Sequence, residues 1–317
     1  MQQDVGMDSD WPLGTGRHLR PGQRTEVWTA GVDGAPADLA YTDETMLLEA
    51  PNWTPDGRGL LLNGLGQLWR LDLGSAPRLR RVPLTGIPPI NNDHVPDPPR
   101  GLIYLSANDG HIYVAPIEGG AATRLTHDSG LFHFLHGVSP DGTTLAFVAV
   151  SPGEAMSPGE SVGRLAVMPS SGGAATFLTD GSRHVDGPEF SPDGAWIYLN
   201  TEHFASEPGQ AQLARMPAGG GAPQRLVASD TVDWFPHVSP TGEFANYLSF
   251  PRGTLGHPED LDVEVRLVRT DNWDRIVARY PVFGGQGTIN VPNWSPDGRR
   301  FAFVAYPVAS ASTQDQV

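Results

Sequence analysis

The chain has 317 residues, more than the ~100–200 of a usual domain, so length favours two domains unless one large closed all-β fold holds the whole chain. Its 38 Gly and 30 Pro predict frequent turns and short elements, and its formal net charge of −15 argues against a nucleic-acid partner, which needs clustered cations. There is no Cys, and all 21 basic residues are Arg. Thiol nucleophiles, disulfides and lysine Schiff bases are therefore excluded.

The two ends of the chain are predicted to be tails. Residues 1–24 are predicted to be an N-terminal tail. The first twenty contain neither a basic region nor an apolar run typical of a signal peptide, which predicts a cytoplasmic protein, or a periplasmic one if the chain is a mature form. No apolar run approaches the ~18–20 residues of a membrane span, so we expect no membrane partner. Residues 307–317 are small and polar and are predicted to be a disordered C-terminal tail.

A four-residue turn motif recurs along the chain and sets the predicted architecture. The copies are TPDG at residues 54–57, SPDG at 139–142, 191–194 and 295–298, and SPTG at 239–242. A degenerate copy, HVPDPPRG at residues 94–101, divides the long first gap. With Pro96 taken as its marker, successive copies begin 42 to 56 residues apart. This spacing is near the ~40–45 residues of a four-stranded propeller blade.

Alternating apolar runs on both sides of each motif predict four short antiparallel strands per unit. Six such units predict an all-β fold, a six-bladed β-propeller that forms a single domain over residues 25–306. After the last motif only one strand remains, so TEVWTAG (residues 25–31) and DLAYT (residues 38–42) are predicted to complete the last blade. Pro three positions before a motif, as at Pro51 and Pro188, marks the innermost strand, because Pro cannot donate to a strand ladder.

Polar residues concentrate at one position of the repeat, two residues before each motif. The residues there are Asn52, His94, Gly137, Glu189, His237 and Asn293. Because innermost strands surround the axis, these side chains are predicted to converge in the channel, and a one-residue bulge would bring in His136 next to Gly137. Three imidazoles and a carboxylate suit Mn, Zn or Fe better than Ca. The predicted metal ligands are His94, His136, Glu189 and His237; the alternative is a hydrated channel with polar walls.

Other polar residues near the innermost strands are candidates for catalysis or substrate binding. Asp93 and Asp186 could act as general bases beside the metal, with His136 also moving a proton, although a turn-capping role for the aspartates is the alternative. Amides at Gln286 and Asn290 could point at a ligand, or belong to a Gly-rich turn between blades. Further substrate-binding candidates are Asn52, Asn293 and Glu202.

Loop length breaks the sixfold symmetry. The loops at residues 151–160, 203–209 and 251–260 are long and adjacent, and predict a wall over half of the channel mouth. Arg252 is the only Arg in these loops and could engage a substrate carboxylate, with His257 as a secondary candidate. The same face could alternatively bind a protein partner.

The SPDG turns resemble the WD-like repeats of TolB-like propellers, and the stretches INNDHV, DGPEFSPDG, WFPHVSP and FGGQGTINVPNWSPDG are similar to a bacterial TolB-like subgroup. The chain is also distantly similar to oligogalacturonate lyases, propellers that hold a divalent metal with several His and one Gln. That resemblance implies His94, His136 and His237 with Gln286 as counterparts. The chain departs from those lyases in having six blades rather than seven and in lacking Lys.

Together these observations predict a metal-dependent enzyme that acts on a small anionic or carbohydrate substrate, including oligosaccharides, in the central channel. The reaction would be β-elimination on a uronate, or hydrolysis. Two alternatives remain open: a non-catalytic TolB-like scaffold for protein interaction, and a metal-dependent esterase or lactonase.

Overall fold

Short antiparallel strands are arranged as six blades around a central channel, which confirms the predicted β-propeller. The computed structural model describes residues 17–151, 162–207 and 209–309. Most of the predicted long loop at residues 151–160, residues 1–16 and residues 310–317 lie outside this part of the chain. Within the described residues, no helix is long and apolar enough to cross a membrane.

The strands are two to thirteen residues long, and one 3₁₀ turn, Pro98–Arg100, lies among them. In chain order they are β1 (Thr25–Gly31), β2 (Asp38–Asp43), β3 (Glu49–Trp53), β4 (Gly59–Gly64), β5 (Gln67–Asp72), β6 (Arg78–Arg81), β7 (Leu84–Thr85), β8 (Ile90–Asp97), β9 (Leu102–Ala107), β10 (Ile112–Pro116), β11 (Gly120–Ala121), β12 (Thr123–Arg124), β13 (Phe132–Val138), β14 (Thr144–Val150), β15 (Arg164–Pro169), β16 (Thr176–Phe177), β17 (Val185–Phe190), β18 (Trp196–Thr201), β19 (Gln212–Pro217), β20 (Gln224–Arg225), β21 (Val232–Val238), β22 (Phe244–Phe250), β23 (Leu261–Arg269), β24 (Asn272–Gly284) and β25 (Arg300–Ala305).

Each of blades one to five is a four-stranded antiparallel sheet whose first strand is innermost. The strand orders are β3-β4-β5-β6, β8-β9-β10-β12, β13-β14-β15-β16, β17-β18-β19-β20 and β21-β22-β23-β24. A short parallel pair, β7 with β11, links the first two blades. The motif turns join the first and second strands, as predicted. In blade three, for example, Ser139 Oγ donates to Asp141 Oδ1 and Gly142 takes a φ of 68°.

Strands from both ends of the chain close the ring in blade six. β1 pairs with β25, with Trp28 opposite Phe303, and β2 forms the outer edge, which confirms the predicted closure. The innermost segment of this blade, residues 288–294, is irregular and is tied to β25 by the Trp294–Phe301 bridge. A further bridge between Gln23 and Val308 fastens residues on both sides of the predicted 25–306 boundary.

The innermost strands of blades one to five all carry a register shift that ends two residues before the motif turn. Ala50, Gly187 and Phe235 have positive φ at this point, each directly before a Pro. In blade three the shift falls between Leu135 and Gly137, which confirms the bulge predicted at His136. These bulges re-aim side chains out of the regular alternation and so determine which residues enter the channel.

Apolar side chains pack between neighbouring blades and hold the innermost strands in place. Between blades five and six, for example, Trp234, Phe250, Phe301 and Phe303 belong to one buried cluster. Aromatic side chains of this size bury large areas and dominate the energetics of a core. The polar residues of the channel are therefore carried on a rigid apolar frame.

Candidate functional site

A cavity of about 490 Å³ lies at the loop end of the channel. Its wall combines the starts of the innermost strands with Glu202 from the β18–β19 connection and residues 256–259 from the β22–β23 connection. Phe134 and Trp234 supply aromatic surface. The volume is in the range of small-molecule sites, ~300–1,000 Å³.

Asp186 is the centre of a cluster of three imidazoles on this wall. Its side chain is 14% exposed, and His136 Nε2 lies 3.1 Å from Oδ1. On the other oxygen, Oδ2, His257 Nε2 lies at 3.7 Å and His184 Nε2 at 4.0 Å. The bulge at Gly187 places Asp186 here, because the strand leaves its regular register directly after it.

His136 is an imidazolium in this arrangement. Its Nδ1 faces the carbonyl oxygen of Asn290 at 3.1 Å, and its Nε2 faces the Asp186 carboxylate, so both ring nitrogens act as donors. Burial opposes the charge, but the carboxylates of Asp93 and Asp186 outweigh it and raise the pKa of His136 to about 9. In turn His136 and His257 overcome the effect of burial on Asp186 and hold its pKa well below its ordinary value.

Asp93 is a second buried carboxylate on the same wall, with 4% of its surface exposed. Asn91 Nδ2 donates to its Oδ2 at 2.9 Å. Burial raises the pKa of Asp93 to about 6, with His136 opposing and Asp186 reinforcing the shift. Of these two carboxylates, Asp186 is held ionised, while Asp93 can exchange a proton near neutral pH.

The amides of the loop before the last motif orient His257. Gln286 Oε1 accepts hydrogen bonds from His257 Nδ1 and from Asn290 Nδ2, the latter at 3.1 Å. The other ring nitrogen, His257 Nε2, faces the Asp186 carboxylate at 3.7 Å from Oδ2. Both predicted amide residues, Gln286 and Asn290, therefore lie at the cavity, where they fix the ring of His257.

Arg17 holds the two loops that carry these residues. Its guanidinium donates to the carbonyl oxygen of Gln286 at 2.6 Å and lies 2.9 Å from Asp260 Oδ1 and 3.0 Å from Glu259 Oε2. It also stacks over the ring of Tyr306 at 4.2 Å. Asp260 itself has a φ of 60°, an unfavourable conformation for a non-Gly residue, so the ion pairs stabilise a strained loop.

A second polar group lies nearer the motif turns. His94 Nδ1 contacts Asn52 Oδ1, and His237 contacts Glu189 Oε2 through Nδ1 and the Ile289 carbonyl through Nε2. Burial lowers the pKa of His94 to about 3, so its ring is neutral, and its buried Nε2 has no hydrogen-bond partner among the described residues.

The predicted metal ligands do not form a shared set. Both ring nitrogens of His136 and of His237 are engaged with protein acceptors, and His94 offers Nε2 alone. Among the described residues, no group of three or more His, Asp or Glu side chains is arranged to hold a metal ion. The expected site for Mn, Zn or Fe at His94, His136, Glu189 and His237 therefore does not fit this geometry.

Of the remaining residues predicted to bind substrate, some line the cavity and others lie elsewhere. Glu202 lines the cavity, whereas Asn52 and Asn293 bond to the neighbouring backbone near the motif turns. Arg252 is exposed and is not among the residues of the wall. Sequence reasoning missed His184, although its position two residues before Asp186 places both on one face of an extended segment.

Comparisons with known proteins agree with this architecture. No family model matches the chain. Over 265 residues it is 40% identical to an uncharacterized protein of Agrobacterium fabrum, Atu1656, across 82% of this chain and 85% of that protein. A solved TolB-like structure from Agrobacterium tumefaciens matches with a TM-score of 0.80 at 35% identity, covering 90% of this chain and 99% of that one. The chain belongs to the TolB-like β-propeller family. The resemblance seen in its repeats is therefore confirmed.

More distant structures share only the fold with this TolB-like protein. An oligogalacturonate lyase in complex with manganese matches with a TM-score of 0.54 at 13% identity, covering 82% of this chain and 75% of the lyase. Such low identity transfers neither the activity nor the metal of that lyase.

Proposed function

We propose that this TolB-like propeller is an enzyme that moves protons on a small, hydroxyl-bearing carbohydrate derivative, by hydrolysis or β-elimination. The observation that carries the proposal is the Asp186 carboxylate, which three imidazoles contact within 4.0 Å on a cavity wall that also holds Asp93. A buried group of this composition, with a separate proton-exchanging carboxylate, is typical of catalytic sites.

The environments assign different roles to the two carboxylates. Asp93, with a pKa of about 6, can give or accept a proton as the general acid or base. Asp186 stays ionised and keeps His136 charged, so this pair supplies a fixed field rather than a proton. His257, with Nδ1 on Gln286 Oε1 and Nε2 facing Asp186 Oδ2 at 3.7 Å, is positioned to supply the second proton.

A metal has no place in the proposed steps, because the ring nitrogens that it would need are engaged by the protein. The reaction therefore relies on charged and hydrogen-bonding groups of the chain itself. Hydrolysis and β-elimination both need one group that removes a proton and one that protonates the leaving oxygen; ionised Asp93 would be the base and His257 the acid.

The test compares turnover of a panel of glycosides and uronides by wild type, Asp93→Asn and Asp186→Asn, with Glu44→Gln as a control at an exposed carboxylate. We expect wild type and the control to convert at least one member of the panel, and Asp93→Asn to lose about 10²–10⁴-fold in rate. Equal activity of wild type and Asp93→Asn would contradict the proposal.

A protein-interaction scaffold is the second candidate. Leu65 and Leu255, 43% and 51% exposed, lie on connections at the loop end of the propeller. Exposed apolar residues there would suit a protein partner. A protein partner that binds wild type and Asp93→Asn equally well, but does not bind Leu255→Asp, would favour the scaffold function.

A further inference from the structure

We infer that the ligand of the cavity carries a positive charge, as a protonated amine on a hydroxylated skeleton of the amino-sugar class. This inference rests on the proposed function for its site but adds the charge of the substrate. It replaces the expectation of an anionic substrate.

The charges on the cavity wall favour a cation. Four carboxylates line it, from Asp93, Asp186, Glu202 and Glu259. No Arg is among the described residues of the wall, and the chain contains no Lys. An anionic ligand would therefore enter a negative cavity in a protein whose formal net charge is −15, and its approach would be disfavoured over long range.

The imidazolium of His136 is already committed. His136 directs one ring nitrogen at the Asn290 carbonyl and the other at Asp186, so neither N–H remains for a substrate carboxylate. Glu259 is in turn paired with Arg17 at 3.0 Å. Among the described residues, Asp93 and Glu202 are then the carboxylates of the wall that have no cationic partner within 4.0 Å.

Glu202 is well placed to receive an ammonium group. It is half-buried at the start of the β18–β19 connection, and its backbone N–H donates to the carbonyl oxygen of His184 at 3.0 Å, which fixes it beside the histidine cluster. Phe134 is half-buried on the same wall and Trp234 contributes a second aromatic side chain. Carboxylates next to aromatic surface are the usual surroundings of a bound ammonium ion.

The remaining polar groups suit hydroxyls. The amides of Asn91, Gln286 and Asn290 belong to the wall, and amide groups both donate and accept hydrogen bonds. A skeleton that bears several hydroxyls and one amine matches this combination better than a uronate, whose carboxylate would face Glu202 or Asp93. Arg252, expected to bind such a carboxylate, lies outside the wall.

The experiment uses sugars that differ only in charge. Binding of galactosamine, galactose, N-acetylgalactosamine and galacturonate, and of the four corresponding glucose derivatives, is measured by calorimetry on the full chain at low salt and pH ~7, above the pKa of Asp93. We expect an amino sugar to bind about tenfold or more tightly than its neutral and anionic counterparts, and added salt to weaken that preference.

Variants locate the effect. Glu202→Gln should remove most of the preference for the amine over the neutral sugar, whereas Glu44→Gln, at an exposed carboxylate, should keep that preference. Tighter binding of the uronates, or no binding of any amino sugar, would overturn the inference. Binding of an amino sugar, with no turnover of any glycoside or uronide of the panel, would leave the inference intact and contradict the proposed enzyme. Turnover of a uronide that depends on Asp93, with no preference for amino sugars, would support the enzyme and overturn the inference.

Discussion

Asp93 and Asp186 show how two identical side chains in one cavity acquire different chemistry. Burial raises the pKa of Asp93. The hydrogen bond from the Asn91 amide acts in the opposite direction but does not reverse the shift. Burial acts on Asp186 in the same direction, but hydrogen bonds and charge from His136 and His257 reverse the shift. The neighbours of a buried carboxylate thus decide whether it exchanges protons at neutral pH.

Replacing Asp93 with Asn should stabilise the protein while abolishing the proposed activity. The folded pKa of Asp93, about 6, exceeds its ordinary value of 3.8, so the folded state holds the proton more tightly. The stability that this proton contributes is present below pH ~4 and is lost as the pH rises through ~6, at a cost of up to about 3 kcal/mol.

The measurement is urea unfolding of wild type and Asp93→Asn at pH ~5 and ~8. The Asn variant should gain about 1–3 kcal/mol over wild type at the higher pH, and less at the lower one. A variant that is less stable than wild type at both would contradict this account of Asp93.

Loss of the His136 proton should lower the stability of the protein at alkaline pH. Its folded pKa of about 9 lies above its ordinary 6.5, so its contribution to stability is complete below pH ~6.5 and is lost as the pH rises through ~9. In wild type we expect a loss of up to about 3 kcal/mol across this range, and in His136→Gln a lower but flatter profile. Parallel profiles for the two proteins would show that His136 is not charged when folded.

At the scale of the element, bulges in the innermost strands position the site. A regular strand would send alternate side chains to the two faces, whereas the bulge at Gly187 lets Asp186 reach the histidines from the start of β17. A Cβ at Gly187 would lie 2.9 Å from Phe235 Cδ1 and 3.1 Å from Asn200 Oδ1. The backbone there thus approaches its neighbours too closely for any other residue.

Gly187→Ala should therefore destabilise the protein and displace Asp186. Gly101→Ala is the matched control, because Gly101 has a similar φ, 64° against 58°, but nothing lies within 4 Å of its Cβ position. In both variants, Ala in the left-handed backbone conformation should lower the free energy of unfolding by about 1 kcal/mol. Crowding should lower that of Gly187→Ala by about 1–3 kcal/mol more. Equal losses in chemical denaturation would contradict the role given to this bulge.

Arg17 is the residue through which the N-terminal segment acts on the cavity loops. Arg17→Met should free residues 256–260, and we expect His257 to lose its fixed contact with Gln286. The expected cost is about 1–3 kcal/mol, because the variant removes the hydrogen bond to the Gln286 carbonyl and one of the two Arg partners of Asp260. Arg20→Gln, at a side chain that is 59% exposed and also pairs with Asp260, should cost less than about 1 kcal/mol.

Thermal unfolding gives the cost, and the imidazole NMR signals of His257 report its position. In Arg17→Met the His257 signals should shift or broaden, while Arg17→Lys should restore them in part. Unchanged His257 signals in Arg17→Met would mean that Arg17 stabilises the fold without positioning the site.

At the scale of the whole molecule, the sequence predicts the ring well because its information is local and repeated. The turn motifs have similar chemistry in five of the six blades, and the count of strands after the last motif is enough to predict that β1 and β2 close the ring. The bulge at His136 was also predictable, from Gly137 at a position where the other blades have polar residues.

The candidate site was predicted only in part because its contacts join different blades. One position of the repeat was expected to form a single ring, yet His94 and His237 find partners near the motif turns while His136 turns to Asp186 nearer the loops. Which group each histidine contacts depends on how far the bulge rotates its strand, and this rotation is set by the packing between blades. Asp93 and Asp186, by contrast, were identified from their place at the start of the innermost strands.

The central claim is that one cavity holds a proton-exchanging carboxylate beside a fixed ion pair, and an NMR titration of the aspartate carboxyl carbons and histidine rings tests it most directly. We expect Asp93 to titrate near pH 6, Asp186 to remain ionised below its ordinary pKa, and His136 to keep its proton until about pH 9. If both aspartates titrated together near pH ~4, and His136 lost its proton near its ordinary pH ~6.5, the cavity would hold no such division of charge and the account would be wrong.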